Sequence, residues 1–240
     1  MFGRWHMRNR LALIAAFGAG LGVGAPALAD GPVVLELFTS QGCSSCPPAD
    51  DLLGQLAERE DVIALALHVN YWDYIGWEDT FATPQLTERQ HYYGHAAGST
   101  VVYTPQMVIG GVDHVIGTRA MEVADLIAAH MAQPDPVDVD ATPTGDGWQV
   151  QAVWVGDGTA PQMVVQVVTY SPHEVVEITR GENAGLTVDY HNIVRSWQVV
   201  SDWSGATPFE AQVMPTGDMP HVVIVQADGH GAILGAARLD

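Results

Sequence analysis

Leu37-Phe38-Thr39-Ser40-Gln41-Gly42-Cys43-Ser44-Ser45-Cys46-Pro47-Pro48-Ala49-Asp50 joins a short apolar run to an amphipathic one, and it contains both cysteines of the chain. Upstream, residues 33–38 are apolar except for Glu36, the pattern of a strand buried on both faces. Downstream, Ala49, Leu52, Leu53, Leu56 and Ala57 recur at helical spacing over residues 48–59. The cysteines therefore stand where a strand turns into a helix. A helix N-terminus presents unsatisfied N–H groups and the positive end of a dipole. A thiolate held there is stabilised, its pKa falls, and it becomes nucleophilic near neutral pH. Cys43, at the edge of the helix, is expected to be exposed and to attack. Cys46, one turn in, is expected to be shielded and to resolve the mixed disulfide. A bridge across so short a loop removes little entropy from the unfolded chain, so stabilisation alone gives it little reason to exist. Three readings of the pair stand at this point: a redox couple, an inert disulfide kept for local rigidity, and a metal site completed by His.

Working outward, strand and helix alternate. Residues 62–69 read as a second strand. Thr83 and Pro84 open a helix that runs to about residue 97. Gln106–Ile109 is a third strand, and Gly110-Gly111 turns it into a fourth over residues 113–116. Thr118 caps a last helix, with Ala120, Val123, Ala124, Ile127 and Met131 on one face. The order is β-α-β-α-β-β-α. Pro105 lacks an N–H and suits the entrance of the third strand. If the bond before it is cis, Thr104 can offer backbone groups to an extended substrate beside the sulfurs; an ordinary trans proline at a strand edge is the other reading.

Gln133-Pro134-Asp135-Pro136 reads as a linker between residues 30–133 and 137–240. The second part is mostly strand, over residues 148–155, 163–170, 188–200 and 221–226. Asp157-Gly158, Gly181-Glu182-Asn183-Ala184-Gly185 and Asp228-Gly229-His230-Gly231 punctuate it as turns. A sandwich-like domain is the expectation.

Composition narrows the function. The 240 residues carry 28 acidic and 9 basic side chains, every one of the latter Arg, for a net charge of −19. That balance argues against nucleic acid and against anionic lipid as partners. Two Cys cannot build a multi-bridge scaffold, nor close a structural zinc site by themselves. Residues 1–29 read as a cleaved signal peptide: Arg4, Arg8 and Arg10, an apolar run over 11–23, then Ala27-Leu28-Ala29 before Asp30. The mature chain then keeps 6 Arg against 28 acids, a net −22, and is expected to be exported, with the periplasm as its compartment and no membrane anchor after cleavage. Oligomeric state has no signature in the sequence.

The C-x-x-C at a strand-to-helix turn, the Thr104-Pro105 step and the β-α-β-α-β-β-α order resemble the thioredoxin superfamily. The stretch from Leu37 to Asp50, with His68-Val69-Asn70-Tyr71-Trp72-Asp73 and Arg180-Gly181-Glu182-Asn183-Ala184-Gly185, resembles a secreted bacterial group within it, domain of unknown function 1223. The resemblance implies a thioredoxin-like domain followed by a mostly β, sandwich-like one. It implies thiol–disulfide exchange with protein or peptide thiols, carried by the disulfide itself and no other cofactor. By position, Cys43 matches the attacking thiol, Cys46 the resolving thiol and Pro105 the cis-proline. Glu36 matches the buried acid that relays a proton to the resolving thiol. Thr104, Ser44, Ser45, Tyr71 and Trp72 would line the substrate site. The alternative is a thioredoxin-like binding module without redox turnover. It would dock a protein partner, or hold copper or zinc through the cysteines with His68, or on His91 and His95. Two departures stand out: Gly42 occupies the place of the Trp before the first thioredoxin Cys, and there is no Lys to pair with a buried acid. Glutathione carboxylates would have to rely on Arg89 or Arg119.

Overall fold

The computed structural model describes Met1 and residues 31–214 and 217–239, so the expected signal peptide lies outside the described residues. The first half follows the expected order: β1 (Val33–Thr39), α1 (Pro47–Ala57), β2 (Val62–His68), α2 (Pro84–Ala96), β3 (Gln106–Ile109), β4 (Asp113–Ile116) and α3 (Ala120–Met131). β1 and β2 pair in parallel, with Thr39 opposite His68 at their carboxyl ends. β3 runs antiparallel to β1, and β4 antiparallel to β3. Gly110 and Gly111 turn that hairpin with φ of 59° and 77°, a backbone that side-chain-bearing residues rarely adopt. Thr83 caps α2, its hydroxyl accepting from the Leu86 amide at 3.3 Å. Arg119, and not Thr118, stands at the N-cap of α3, without a side-chain cap.

The second half supplies β5 (Val137–Thr144), β6 (Gly147–Trp154), β7 (Met163–Glu177), β8 (Thr187–Trp203), β9 (Phe209–Val213), β10 (His221–Ala227) and β11 (Ile233–Leu239). β5, β9 and β11 extend the expected set. The strands form two sheets. A large mixed sheet has the order β11-β10-β7-β8-β2-β1-β3-β4, and a second, antiparallel sheet the order β5-β6-β9. The large sheet crosses the proline-rich segment at 133–136, so strands of both halves share it. The junction is short. β8 meets β2 in parallel with Ala66 opposite Ile193, and the Asn192 side chain donates to the Ala64 carbonyl at 2.9 Å. The smaller sheet closes a sandwich over the far end of the large one, with Val150 and Ala152 packed with Val165, Trp203, Val223 and Val225.

Strand alternation sorts the core into two layers. Leu35, Leu37, Ala64 and Ala66 face α1 and α3, with Ala49, Leu53, Val123 and Ile127. Val34, Phe38, Ile63, Leu65 and Leu67 face α2, with Leu86, Tyr93, Val168, Trp197 and Ile224. Glu36 falls on the α2 face between Val34 and Phe38, and is fully buried. The Arg89 guanidinium meets it in a two-pronged pair, Nε to Oε2 at 2.6 Å and Nη2 to Oε1 at 2.8 Å. Tyr93 also donates to Glu36, and Gln226 of β10 accepts from Arg89 at 3.2 Å. The guanidinium lies 3.7 Å from the centre of a Trp197 ring on β8. One charged cluster thus joins β1, α2, β8 and β10. Removing one partner of such a pair leaves an uncompensated charge in the core. Arg89→Met is expected to cost about 3–5 kcal/mol in urea unfolding, with much of the loss recovered in Glu36→Gln/Arg89→Met.

Candidate functional site

Between β1 and α1 the chain turns tightly. The Cys43 amide donates to the Ser40 carbonyl at 3.1 Å, and the Cys46 amide to the Cys43 carbonyl at 3.2 Å. Cys43 and Cys46 form a disulfide with their Cα atoms 5.4 Å apart. Cys46 is the N-cap residue of α1 and not one turn inside it. Pro47 and Pro48 fill the first two helical positions, so two of the amides that could have faced a thiolate are missing, and the aligned dipoles remain.

Cys43 is not exposed as the sequence suggests: its residue exposure is 2%, against 0% for Cys46. The segment linking β7 to β8 is bonded to this turn. Its ends are closed by backbone bonds, Ile178 N–H to the Leu186 carbonyl at 2.9 Å and Gly185 N–H to the Ile178 carbonyl at 2.7 Å. Ile178 anchors it in a small core with Val188, Tyr190 and Ile193. From that base Asn183, itself buried, donates to the carbonyls of both Gln41 and Cys43 at 2.9 Å. Ser44 donates from its hydroxyl to Glu182 at 2.7 Å. Ser44 and Ser45 are exposed, and the Ser45 hydroxyl lies 3.4 Å from Cys43 Sγ.

The Thr104–Pro105 peptide bond is cis. Pro105 is buried beside the start of α1: a Cβ added to Gly117 would lie 3.2 Å from Pro105 Cβ and 3.0 Å from Ala49 Cβ. Trp72 ties this corner to the cysteine turn. Its indole donates to Thr104 Oγ1 at 2.8 Å, and its Cβ packs against the open face of Gly42. Gly42 therefore leaves room for the Trp72 backbone and Cβ and the Ile75 side chain, which arrive from another loop. Tyr71 lies against Trp72 with ring centres 5.9 Å apart, and burial pushes its phenol up to about 12. Trp77 of the same loop donates to the Gln41 side chain at 2.8 Å and backs Gly181 of the segment between β7 and β8. The aromatic loop thus serves as a packing surface for the cysteine turn and for Gly181.

The structure does not bring Glu36 to the sulfurs. It is paired with Arg89 on the α2 face, whereas α1 and the cysteine turn pack on the other. The buried acid on the cysteine side is Asp50, four residues after Cys46 and so on the same side of α1. Its amide donates to the Cys46 carbonyl at 3.1 Å, and Oδ1 accepts from the Thr39 hydroxyl at 2.7 Å. Burial raises its pKa to about 7, against the opposing pull of His68 and the Thr39 hydrogen bond. His68, also buried, meets Asp79 through Nδ1 at 2.7 Å. Burial alone would raise Asp79, but His68 and the amides of Gln41 and Phe81 outweigh it and hold the carboxyl below its usual range. Among the described residues, Asp50 Oδ2 and His68 Nε2 have no hydrogen-bond partner. Asp50, His68 and Asp79 are buried near one another at the carboxyl ends of β1 and β2, and of the two acids it is Asp50 that burial keeps protonatable. The sequence signal for Asp50 was an acid within the apolar stripe of α1, three residues before Leu53. Asp79 gave none, being a loop residue recruited from a distance; Asn183 stood within the stretch 180–185 that carries the family resemblance, with no contact indicated for it.

Arg89 is spent on Glu36, and Arg119 is exposed and paired with Glu122 at 3.0 Å. His91 and His95 are exposed on α2. Among the described residues, no group of three or more His, Cys, Asp or Glu side chains is placed to hold a metal, and no helix is long and apolar enough to cross a membrane.

The fold and site define a mixed α/β protein with a C-x-x-C disulfide at a strand-to-helix turn. The chain belongs to the family described as protein of unknown function (DUF1223), whose pattern it matches over residues 34–226. It is similar to a protein of Agrobacterium tumefaciens whose crystal structure was solved as a structural-genomics target, at 31% identity and a TM-score of 0.75, over 88% of this chain and 94% of that one. It also shares its fold with HBP35 of Porphyromonas gingivalis, at 14% identity and a TM-score of 0.60, over 87% of this chain and 74% of that one. No curated protein matches it.

Asp50 carries a prediction about pH. Unfolded, it titrates near 3.8; folded, at about 7. Between those values the native chain holds a proton that the unfolded chain has lost. Its contribution is therefore fully present below pH 3.8 and is lost as pH rises to about 7. Asp50→Asn keeps an oxygen for Thr39 and is expected to remove about 1.4 kcal/mol of this slope per pH unit, read from urea midpoints of the oxidised protein across that window.

Proposed function

We propose that this chain is an exported, thioredoxin-like thiol–disulfide oxidoreductase that exchanges Cys43–Cys46 with protein or peptide thiols. The observation that carries the reading is the coincidence of the disulfide with a protonatable, buried carboxyl one helical turn beyond Cys46. A partner thiolate attacks Cys43 Sγ, a new S–S bond forms, and the Cys43–Cys46 bond breaks with its electron pair on Cys46. Asp50 supplies the proton that Cys46 takes up. The partner's second thiolate then attacks its own sulfur in the mixed disulfide and releases Cys43. The partner is oxidised by two electrons and the C-x-x-C pair is reduced; the same steps reversed oxidise the pair. The strand-entrance position of Thr104 and Pro105 suits an extended peptide, with Ser44, Ser45, Tyr71 and Trp72 at the rim. The chemistry needs no cofactor beyond the disulfide. The arginine-bearing leader supports export to the periplasm, where such a pair can be oxidised.

Burial of Cys43 favours a second reading, in which the disulfide is a fixed staple within a module that docks a protein partner. Redox titration separates them. The oxidoreductase is expected to equilibrate with glutathione buffers, and in Cys46→Ser the Cys43 thiolate is expected to attack a client protein's disulfide, release one client thiolate and accumulate as the mixed disulfide. A pair that stays oxidised across the titration and traps nothing would leave the staple.

A further inference from the structure

Exchange at Cys43 conflicts with its burial, and the segment over residues 178–186 is bonded to the turn that carries it. We infer that this segment is a gate on the redox pair, with Asn183 as its latch and Glu182 as a second, weaker catch; the inference rests on the redox reading of the same site. The two ends of the segment differ in how they are held. Ile178 is fully buried in its own small core and fixed to Leu186 and Gly185 through the backbone. The tip touches the cysteine turn through polar bonds: one amide group shared between the carbonyls of Gln41 and Cys43, and one hydroxyl–carboxylate bond from Ser44. Arg180, Glu182, Ala184 and Gly185 are exposed around the buried Asn183. Gly181 and Gly185 have φ of 79° and 89°, so the tip is bounded by the two residues with most backbone freedom. A hydrophobic base with a polar, water-replaceable tip lets the tip lift while the base stays.

The latch also bears on what can enter. Asn183 gives up two N–H bonds to backbone carbonyls of the turn. A partner that supplies amide donors to those carbonyls compensates for the opening, as an extended polypeptide does. Asn183 is thus a positioning residue: it acts through the turn and not on the sulfurs. Glu182 places a carboxylate beside Ser44, with the exposed Arg180 two residues before it, so the tip itself carries both signs of charge.

The test is the rate at which dithiothreitol reduces the oxidised full chain, followed by thiol labelling at several low urea concentrations. The reductant gives two electrons to the disulfide and leaves as its cyclic disulfide. Asn183→Ala is expected to speed reduction at least tenfold, and Ser44→Ala about threefold. Neither gain should grow with urea as global unfolding does, since lifting a loop tip exposes little surface. Rates within twofold of wild type in both variants overturn the gate. If the wild type already reacts as fast as an open disulfide, the gate fails and the redox reading stands. If no variant is reduced except in proportion to global unfolding, both fail. Ser44→Ala, an exposed change, keeps the test decisive should Asn183→Ala fold poorly.

Discussion

The ion pair between Glu36 and Arg89 constrains more of this molecule than any other contact. Two charges taken out of water are costly unless each finds its full set of partners. Here the partners come from four directions: Tyr93 on the same helix, Gln226 from β10, the Trp197 ring from β8, and the strand that carries Glu36. None of the halves can satisfy the pair alone. Gln226 and Trp197 lie beyond the prolines at 134 and 136, yet they finish a site begun in β1 and α2. The charge cluster therefore explains why the large sheet continues through what looks like a domain boundary. Burial of Tyr93 reinforces the same arrangement, pushing its phenol well above the ordinary range and keeping it a donor.

Strand alternation separates this cluster from the chemistry. Along β1, Leu35, Leu37 and Thr39 look towards α1, while Val34, Glu36 and Phe38 look towards α2. The molecule so contains two buried acids of opposite character within a few residues of the cysteine turn. One is neutralised by a guanidinium and is structural. The other, Asp50, has only a hydroxyl and a neighbouring imidazole, so its charge is poorly compensated and its proton is held up to about pH 7. Absence of Lys from the chain is consistent with this design. A cation set against Asp50 would pull its pKa down and remove it from the range where it can serve a thiol.

Much of this was legible in advance where local pattern decides structure. β1 and β2 are apolar on both faces, α1 and α3 carry continuous stripes, and the glycines at 110 and 111 mark their hairpin. Cys43, Cys46 and Pro105 were placed by those elements alone. β5 escaped because Asp138 and Asp140 alternate with half-buried apolar residues on a short outer sheet, and β11 because Gly235, Ala236 and Ala237 have little strand preference. The β2–β8 junction could not be read, since one opposed residue pair leaves no periodic trace. Glu36 was misassigned because sequence shows that a strand residue is buried without showing which helix covers it. The exposure of Cys43 was misjudged because the turn is packed into tertiary structure that includes a residue 140 positions away, Asn183, bonded to the Cys43 carbonyl.

The charge of the chain finally bears on its partners through where the cations are spent. Arg59 is bound to Asp61, Arg89 to Glu36, Arg119 to Glu122 and Arg195 to Glu174, while Arg238 donates to the carbonyl of Glu60. Most of these guanidiniums are matched by an acid; Arg180 is exposed on the segment bonded to the cysteine turn, where Glu182 adds a negative group. An anionic small thiol would approach against the net field of the chain, although Arg180 is an exposed guanidinium two residues from Glu182. A neutral or basic polypeptide would approach with that field. Under the oxidoreductase reading proposed above, net charge at long range and the Asn183 bonds at short range would favour the same partner, an extended polypeptide that carries its own amide donors.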